Sequence, residues 1–261
     1  MQAFNYAKPS SLAEAARAAG AADAKLLAGG QSLLGAMKLG LAAPSALVDL
    51  GGLADLKGIT VSAGTVKIGA MTTHAAVAAS KEVQQAIPAL AAMASGIGDR
   101  QVRNRGTIGG SLANNDPAAD YPAAVLALGA TIHTDKRTIA ADDFFKGLYT
   151  TVLNDAEVIT AVSFPVPDKA GWQKFKQPAS RFALVGVFVA KGKGGVRVAV
   201  TGAGSNGVFR AKALEEKLGA SWSGSACDGV KIDAKQLNGD LHGSAEYRAA
   251  LIPVLAKRAV G

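Results

Sequence analysis

The chain has 261 residues, enough for one large domain or two to three small ones, and nearly half of them are apolar, a soluble globular composition rather than a disordered one. Its 28 Lys and Arg against 20 Asp and Glu leave a formal net charge of +8, but the bases are scattered and aromatics make up only 5 %, too few for a stacking surface on single-stranded nucleic acid. The charge favours an anionic ligand or an acidic partner, and the single cysteine, Cys227, excludes a disulfide framework and any cysteine-ligated zinc or iron–sulfur site within these residues.

The opening MQAFNYAKPS lacks the basic-then-apolar pattern of a signal peptide. No apolar run reaches the ~18 residues needed to span a bilayer. A cytoplasmic protein is therefore expected. The stretch 11-SLAEAARAAG-20 reads as a helix, with Ser11 and Glu14 as a capping box and Gly20 as the stop. In 24-AKLLAGGQSLLGAMKLG-40 a short strand runs through a double-glycine turn into a helix entered at Ser32, and 46-ALVDL-50 reads as a strand. Alternation over 58–73 around an Ala-Gly break predicts a hairpin. Helical spacing follows in 74–80 and 81–95, with Pro88 at a helix start or kink.

The segment 101-QVRNRGTIGGSLANNDPAADYPAAV-125 has the look of a binding loop, followed by a short helix over 122–130. Strands resume at 131–140 and 156–167, and the polar stretch 168–181 marks a boundary. Beyond it, 182–192 and 195–204 form a hairpin, and helices over 208–220 and 244–260 complete a smaller α+β unit. His74, His133 and His242 lie far apart without metal-ligand spacing, and a surface or turn role is the simpler reading of each.

Three glycine turns compete for a chemical role. The string 202-GAGSNG-207 is a literal G-x-G-x-x-G, but the run leading to Asp228 is rich in Ser and Gly and supplies no second strand, so the βαβ crossover of a dinucleotide fold is missing. It reads as a simple strand-to-helix turn. In 28-AGGQS-32 and 106-GTIGGS-111 adjacent glycines precede a hydroxyl residue at the start of an element. Glycines let successive backbone N–H groups point inward, and a helix start adds its positive dipole end, which suits a pyrophosphate. Either turn alone is ordinary; two flanking one α/β region are informative. In 114-NNDPAAD-120, Asp116 and Asp120 either cap the helix that follows or accept hydrogen bonds from ribityl or ribose hydroxyls.

The strings 26-LLAGGQSLLGAMKLGLAAPSALVDL-50, 67-KIGAMTTHAAVAAS-80 and 101-QVRNRGTIGGSLANNDPAADYPAAVLALGA-130 closely resemble the FAD-binding (medium) subunits of the xanthine dehydrogenase family, molybdenum hydroxylases that include the aerobic carbon monoxide dehydrogenases. The tail 240-DLHGSAEYRAALIPVLAKRAV-260 looks like that family's C-terminal flavoprotein domain, so the resemblance spans nearly the whole chain. It implies an α+β protein with the FAD-binding fold of the vanillyl-alcohol oxidase and p-cresol methylhydroxylase type. The implied units are FAD-binding subdomains over 1–55 and 56–172, with a C-terminal flavoprotein domain over 173–261.

By position, the resemblance implies that Leu27, Ala28, Gly29, Gly30, Gln31 and Ser32 form one pyrophosphate loop. Thr107, Ile108, Gly109, Gly110 and Ser111 form the other, with Ala70 and Ile97 packing near the cofactor. Asn114, Asp116 and Asp120 face the ribityl, ribose or phosphate side, Asp116 equally readable as a helix cap. Ile159 contacts the adenine or isoalloxazine region, and Lys176 lies by the flavin with Lys174 as its rival. Arg103 and Arg105 brace the second loop or a subunit interface.

The implied partners are a molybdenum-cofactor large subunit and a [2Fe–2S] small subunit, assembled as a dimer of heterotrimers, with no nucleic acid and no membrane span. Electrons would pass from the iron–sulfur clusters to FAD and on to NAD or oxygen, so no acid–base residue is expected here, and His74 is read as a turn or cap residue. A stand-alone FAD-dependent reductase of the same fold is the alternative. It would need substrate-binding arginines and a proton donor, and no such set is identifiable. A non-catalytic anion-binding protein would use the loops without flavin.

Overall fold

Ser11 shows how local chemistry sets an element boundary. In extended backbone it accepts the Glu14 N–H at 3.2 Å and opens helix Leu12–Ala19. Glu14 reaches back to the N–H and hydroxyl of Ser10, at 2.8 and 2.9 Å, rather than to Ser11. In the computed structural model, which describes residues 2–261, the strands fall into four sheets. The first is parallel and three-stranded, with Ala46–Asp49 between Asn5–Ala7 and Ala24–Leu27. Helices Leu12–Ala19 and Leu33–Lys38 make its crossovers.

The second sheet is antiparallel, in the order Ile59–Ser62, Thr65–Gly69, Ile159–Pro165, Thr131–Thr134, Thr138–Ala140. The hairpin expected over 58–73 is its first pair, turning at Ala63 and Gly64 with φ +48° and +71°. The helical stretches expected over 74–80 and 81–95 become three helices, His74–Ala79, Lys81–Ala86 and Pro88–Ser95. Ser80 ends the first and caps the second by accepting the Val83 N–H, and Pro88 takes the first position of the third. The segment around 101–115, read from sequence as a loop, is two helices instead: Arg100–Arg105 capped by Asp99, and Ile108–Asn114 capped by Thr107. Its glycines therefore form a helix start, not a free turn.

The third sheet is antiparallel, in the order Lys169–Lys176, Ala183–Gly192, Gly195–Thr201, Phe209–Arg210. The polar stretch 168–181 is thus largely a strand, and the boundary expected at 172/173 cuts through it. Strand Ala183–Gly192 is apolar on both faces because both are buried. Phe188, Ala190 and, on the next strand, Ala199 join the core built around helices Pro88–Ser95 and Tyr121–Ala127. Val185, Val187 and Val189 face helices Lys212–Ala220 and Ala245–Val260, packing with Leu214, Leu218, Ile252 and Leu255. Buried Arg248 ties that last helix down through the carbonyls of Leu184 and Gly202 and both oxygens of Asp240. Two short strands, Phe145–Gly147 and Thr150–Thr151, form the fourth sheet, a hairpin whose loop sequence reasoning missed.

Candidate functional site

All of these units face one cleft of about 910 Å³. Its first wall is the turn 28–32, between strand Ala24–Leu27 and helix Leu33–Lys38. Gly30 takes φ +74°, a left-handed conformation that glycine adopts without strain. Among the described residues, the backbone N–H groups from Gly29 to Leu33 have no hydrogen-bond partner in the chain, and the Ser32 hydroxyl makes no capping bond. Five consecutive free donors at a helix start form a concave anion-binding surface.

The second wall differs. The N–H groups of Ile108, Gly109 and Gly110 are engaged by Thr72 O, Ala70 O and Thr107 Oγ1, at 3.2, 2.8 and 3.1 Å. These bonds fix the helix start in place, so the two glycine loops are not equivalent grips. The first supplies backbone donors; the second supplies position, with the Ser111 and Asn114 side chains lining the cleft. Each wall has a glycine required by proximity. A Cβ on Gly29 would land inside the Arg105 carbonyl, and one on Gly109 would meet Ala70 Cβ at 2.6 Å.

At the far end, Lys174 of the third sheet reaches across to Asp120 Oδ2 at 2.6 Å and Gly96 O at 2.9 Å, both side chains almost fully buried. Burial holds the Asp120 carboxyl up at about 6 even with Lys174 pulling it down. Its Oδ1 has no partner in the chain, and Asp120 makes no helix-capping bond. Asp116 does act locally: its Oδ1 accepts the Ala118 N–H at 2.9 Å. Arg103 and Arg181 both donate to Gly98 O, at 2.8 and 3.1 Å. Lys174 on Gly96 O sits at the C-cap of helix Pro88–Ser95, where the helix dipole is negative, and the two arginines sit on the bend that follows it.

His74 also lines the cleft, at the first position of helix His74–Ala79. It is 5 % exposed, and burial, aided by Arg103, lowers its pKa to about 4, so it is neutral near pH 7. Its ring lies 5.3 Å from that of Tyr121, whose hydroxyl burial pushes above its ordinary pKa.

Of the residues expected at the site, Ala28, Gly29, Gly30, Gln31, Ser32, Ala70, Ile97, Thr107, Gly109, Gly110, Ser111, Asn114, Asp116, Asp120 and Ile159 line this cleft. Three do not. Leu27 packs behind the first turn, Ile108 is fully buried in the core, and Lys176 is exposed outside the cleft while Lys174 enters it. Lys174 pairs with Gly186 and Lys176 with Ala183, the register shifting between Phe175 and Lys176 because the facing strand carries the extra residue Leu184. Phe182 lines the cleft as well, and so do Tyr149 and Arg181, which sequence reasoning had not singled out. The mark these last two carry is backbone strain, visible only in the structure: among the described residues six non-glycines have left-handed φ, and Asp23, Tyr149, Ala156 and Arg181 of these line the cleft.

Residues 2–167 match the family described as the FAD binding domain in molybdopterin dehydrogenase. The chain is 36 % identical over 274 residues to the carbon monoxide dehydrogenase medium chain of Hydrogenophaga pseudoflava, covering 98 % of this chain and 96 % of that one. It is 36 % identical over 275 residues to the nicotine 6-hydroxylase medium subunit of Paenarthrobacter nicotinovorans, covering 100 % and 97 %. Among solved structures, a carbon monoxide dehydrogenase from Hydrogenophaga pseudoflava superposes with TM-score 0.89 at 36 % identity, over 99 % of this chain and 96 % of that one. Quinoline 2-oxidoreductase from Pseudomonas putida 86 superposes with TM-score 0.87 at 30 % identity, over 99 % and 96 %.

Proposed function

This chain belongs to the FAD-binding domain family of the molybdopterin dehydrogenases, as an FAD subunit of the molybdenum hydroxylase kind, and on that membership we propose that it takes electrons from the [2Fe–2S] clusters of a partner subunit and passes them to an acceptor such as NAD or oxygen. The observation that carries the reading is the row of free N–H groups from Gly29 to Leu33 in the same cleft as the buried Lys174–Asp120 pair. A dinucleotide with a diphosphate between two ring systems fits that donor set: anion-binding donors on one wall, a cation with a half-satisfied carboxylate at one end.

FAD, when bound, supplies the one- and two-electron chemistry that no side chain here can supply. In this reading Ala28 to Ser32 bind the diphosphate. Thr107 to Ser111 and Ala70 fix the facing wall, and Asn114, Asp116 and the free Oδ1 of Asp120 accept from hydroxyls of the cofactor's sugar chains. Lys174, rather than Lys176, places a positive charge by the flavin, where it favours added negative charge. Ile97 and Ile159 exclude water beside the rings. Under the same reading residues 1–55 and 56–168 are the two FAD-binding subdomains, and the flavoprotein domain begins at strand Lys169–Lys176. The partners are a molybdenum-cofactor large subunit and a [2Fe–2S] small subunit, in a dimer of heterotrimers.

The purified complex tests this. Denaturation is expected to release FAD, and mixing flavin-loaded chain anaerobically with reduced, desalted iron–sulfur partner is expected to bleach the flavin absorbance. A chain that is colourless and does not take up added FAD, or one whose flavin the reduced partner leaves oxidised, would refute it.

A further inference from the structure

Two exposed aromatic rings line the cleft: Tyr149, 61 % exposed, and Phe182, 50 % exposed. They stand on different elements. Phe182 follows Arg181, whose guanidinium donates to Gly98 O beside the Lys174 contact. Tyr149 sits in the turn of the hairpin Phe145–Gly147/Thr150–Thr151, and its hydroxyl reaches Asp116 Oδ2 at 3.4 Å. From Tyr149 the lining continues through Thr151 and Leu153–Ile159 to the opposing residues Ala19–Leu26, and a Cβ on Gly20 would lie 3.9 Å from Ala156 Cβ.

The hairpin is anchored where a surface turn would not need to be. Asn115, 3 % exposed and itself left-handed at φ +43°, donates through Nδ2 to Gly147 O and Thr150 O at 2.8 and 2.9 Å. Its own carbonyl accepts the Tyr149 N–H at 3.1 Å. Tyr149 is held at φ +53°, a conformation unfavourable for a bulky aromatic and natural for glycine. The chain thus keeps a large ring, under backbone strain, in the lining of the cleft, and such strain concentrates at ligand clamps.

We infer that Tyr149 is the stacking surface for the adenosine half of the cofactor. The inference rests on the FAD reading above, with Lys174 and Phe182 marking the flavin end. An extended dinucleotide whose diphosphate lies on the Gly29–Leu33 donors must then send its adenine toward the other ring in the lining. Aromatic side chains stack on bases through their faces, independent of hydrogen-bond pattern. The strained turn fixes the ring before the ligand arrives, which lowers the ordering cost of binding.

The test uses the full chain freed of flavin, titrated by calorimetry with FAD, FMN and ADP. In Tyr149→Gly the melting temperature is expected to hold or rise by about 2 °C as strain is relieved, while FAD and ADP bind about tenfold more weakly and FMN affinity is unchanged. Tyr149→Phe keeps the ring and is expected to keep both affinities within about twofold. Equal FAD affinity in parent and Tyr149→Gly overturns the inference and leaves the FAD reading standing. Weakened FMN binding with ADP unaffected, or brighter bound-flavin fluorescence in Tyr149→Gly, puts the ring against the flavin and also overturns it. A parent chain that binds no FAD defeats the underlying reading and the inference together.

Discussion

Gly29 and Gly35 lie on either side of the same turn and make opposite demands. A side chain at Gly29 would enter the Arg105 carbonyl, whereas one at Gly35 meets nothing within 4 Å. Gly29→Ala is expected to destabilise the chain by about 2–3 kcal/mol through overpacking and to lower its flavin content. Gly35→Ala is expected to stabilise it by about 0.5–1 kcal/mol. Urea denaturation of both variants reads the contrast directly. Acid sensitivity is also set by single residues. Hydrogen bonds from Arg137, the Asn154 N–H and Thr134 hold the Glu157 carboxyl at about 2. Its contribution is full above the unfolded value of 4.5 and is lost as pH falls toward 2. His74, depressed to about 4, contributes fully above 6.5 and loses that contribution as pH falls through 4. Asp120 has the opposite sign: raised to about 6, its contribution is present below 3.8 and lost as pH rises through 6. Glu157→Gln should therefore lose less stability than the parent between pH 4.5 and 3, and His74→Gln less between pH 6.5 and 4. Parallel urea midpoints across those windows would contradict the assignments.

Between helix Ile108–Asn114 and the hairpin 145–151, Asn115 works as a joint between elements. It satisfies two hairpin carbonyls with its side chain and tolerates the left-handed backbone that ends the helix. Asn115→Ala removes both bonds and adds strain, with an expected loss of about 3 kcal/mol. Asn115→Gly removes the bonds alone, and about 1 kcal/mol should separate the two. In both, the Tyr149 amide is expected to exchange with deuterium faster than in the parent. Unchanged exchange there would show that the hairpin is held by something else.

For the molecule as a whole, the cleft and the core both cross the edge of the family match at residue 167. Lys174, Arg181 and Phe182 reach the cleft from beyond it, and Phe188, Ala190 and Ala199 complete the core around helix Tyr121–Ala127. A fragment ending at residue 167 would leave that helix face bare, and exposed apolar faces of this kind drive association. The fragment is expected to aggregate or to bind FAD at least tenfold more weakly than the full chain, by size-exclusion chromatography and fluorescence titration. A monomeric fragment with full affinity would mean the third sheet is not needed.

What could be read before folding was what a few neighbouring residues decide among themselves. Ser11 and Pro88 placed helix ends, Ala63-Gly64 placed a hairpin, and the two glycine strings located both cleft walls, because caps and turns depend on contacts within about four residues. Helix Ile108–Asn114 escaped because its glycines read as loop, yet Thr107 caps it and Ala70 needs Gly109 small. Which lysine enters the cleft is set by long-range contacts. Lys174 and Lys176 are alike in type and parity, and the partners that draw Lys174 in, Asp120 and Gly96, lie 54 and 78 residues away. The same holds for the two glycine loops: their strings are similar, but the donors of one are free and those of the other are taken by Ala70 and Thr72 of a neighbouring strand end. Periodicity records which face of an element is buried; it carries no record of what that face meets.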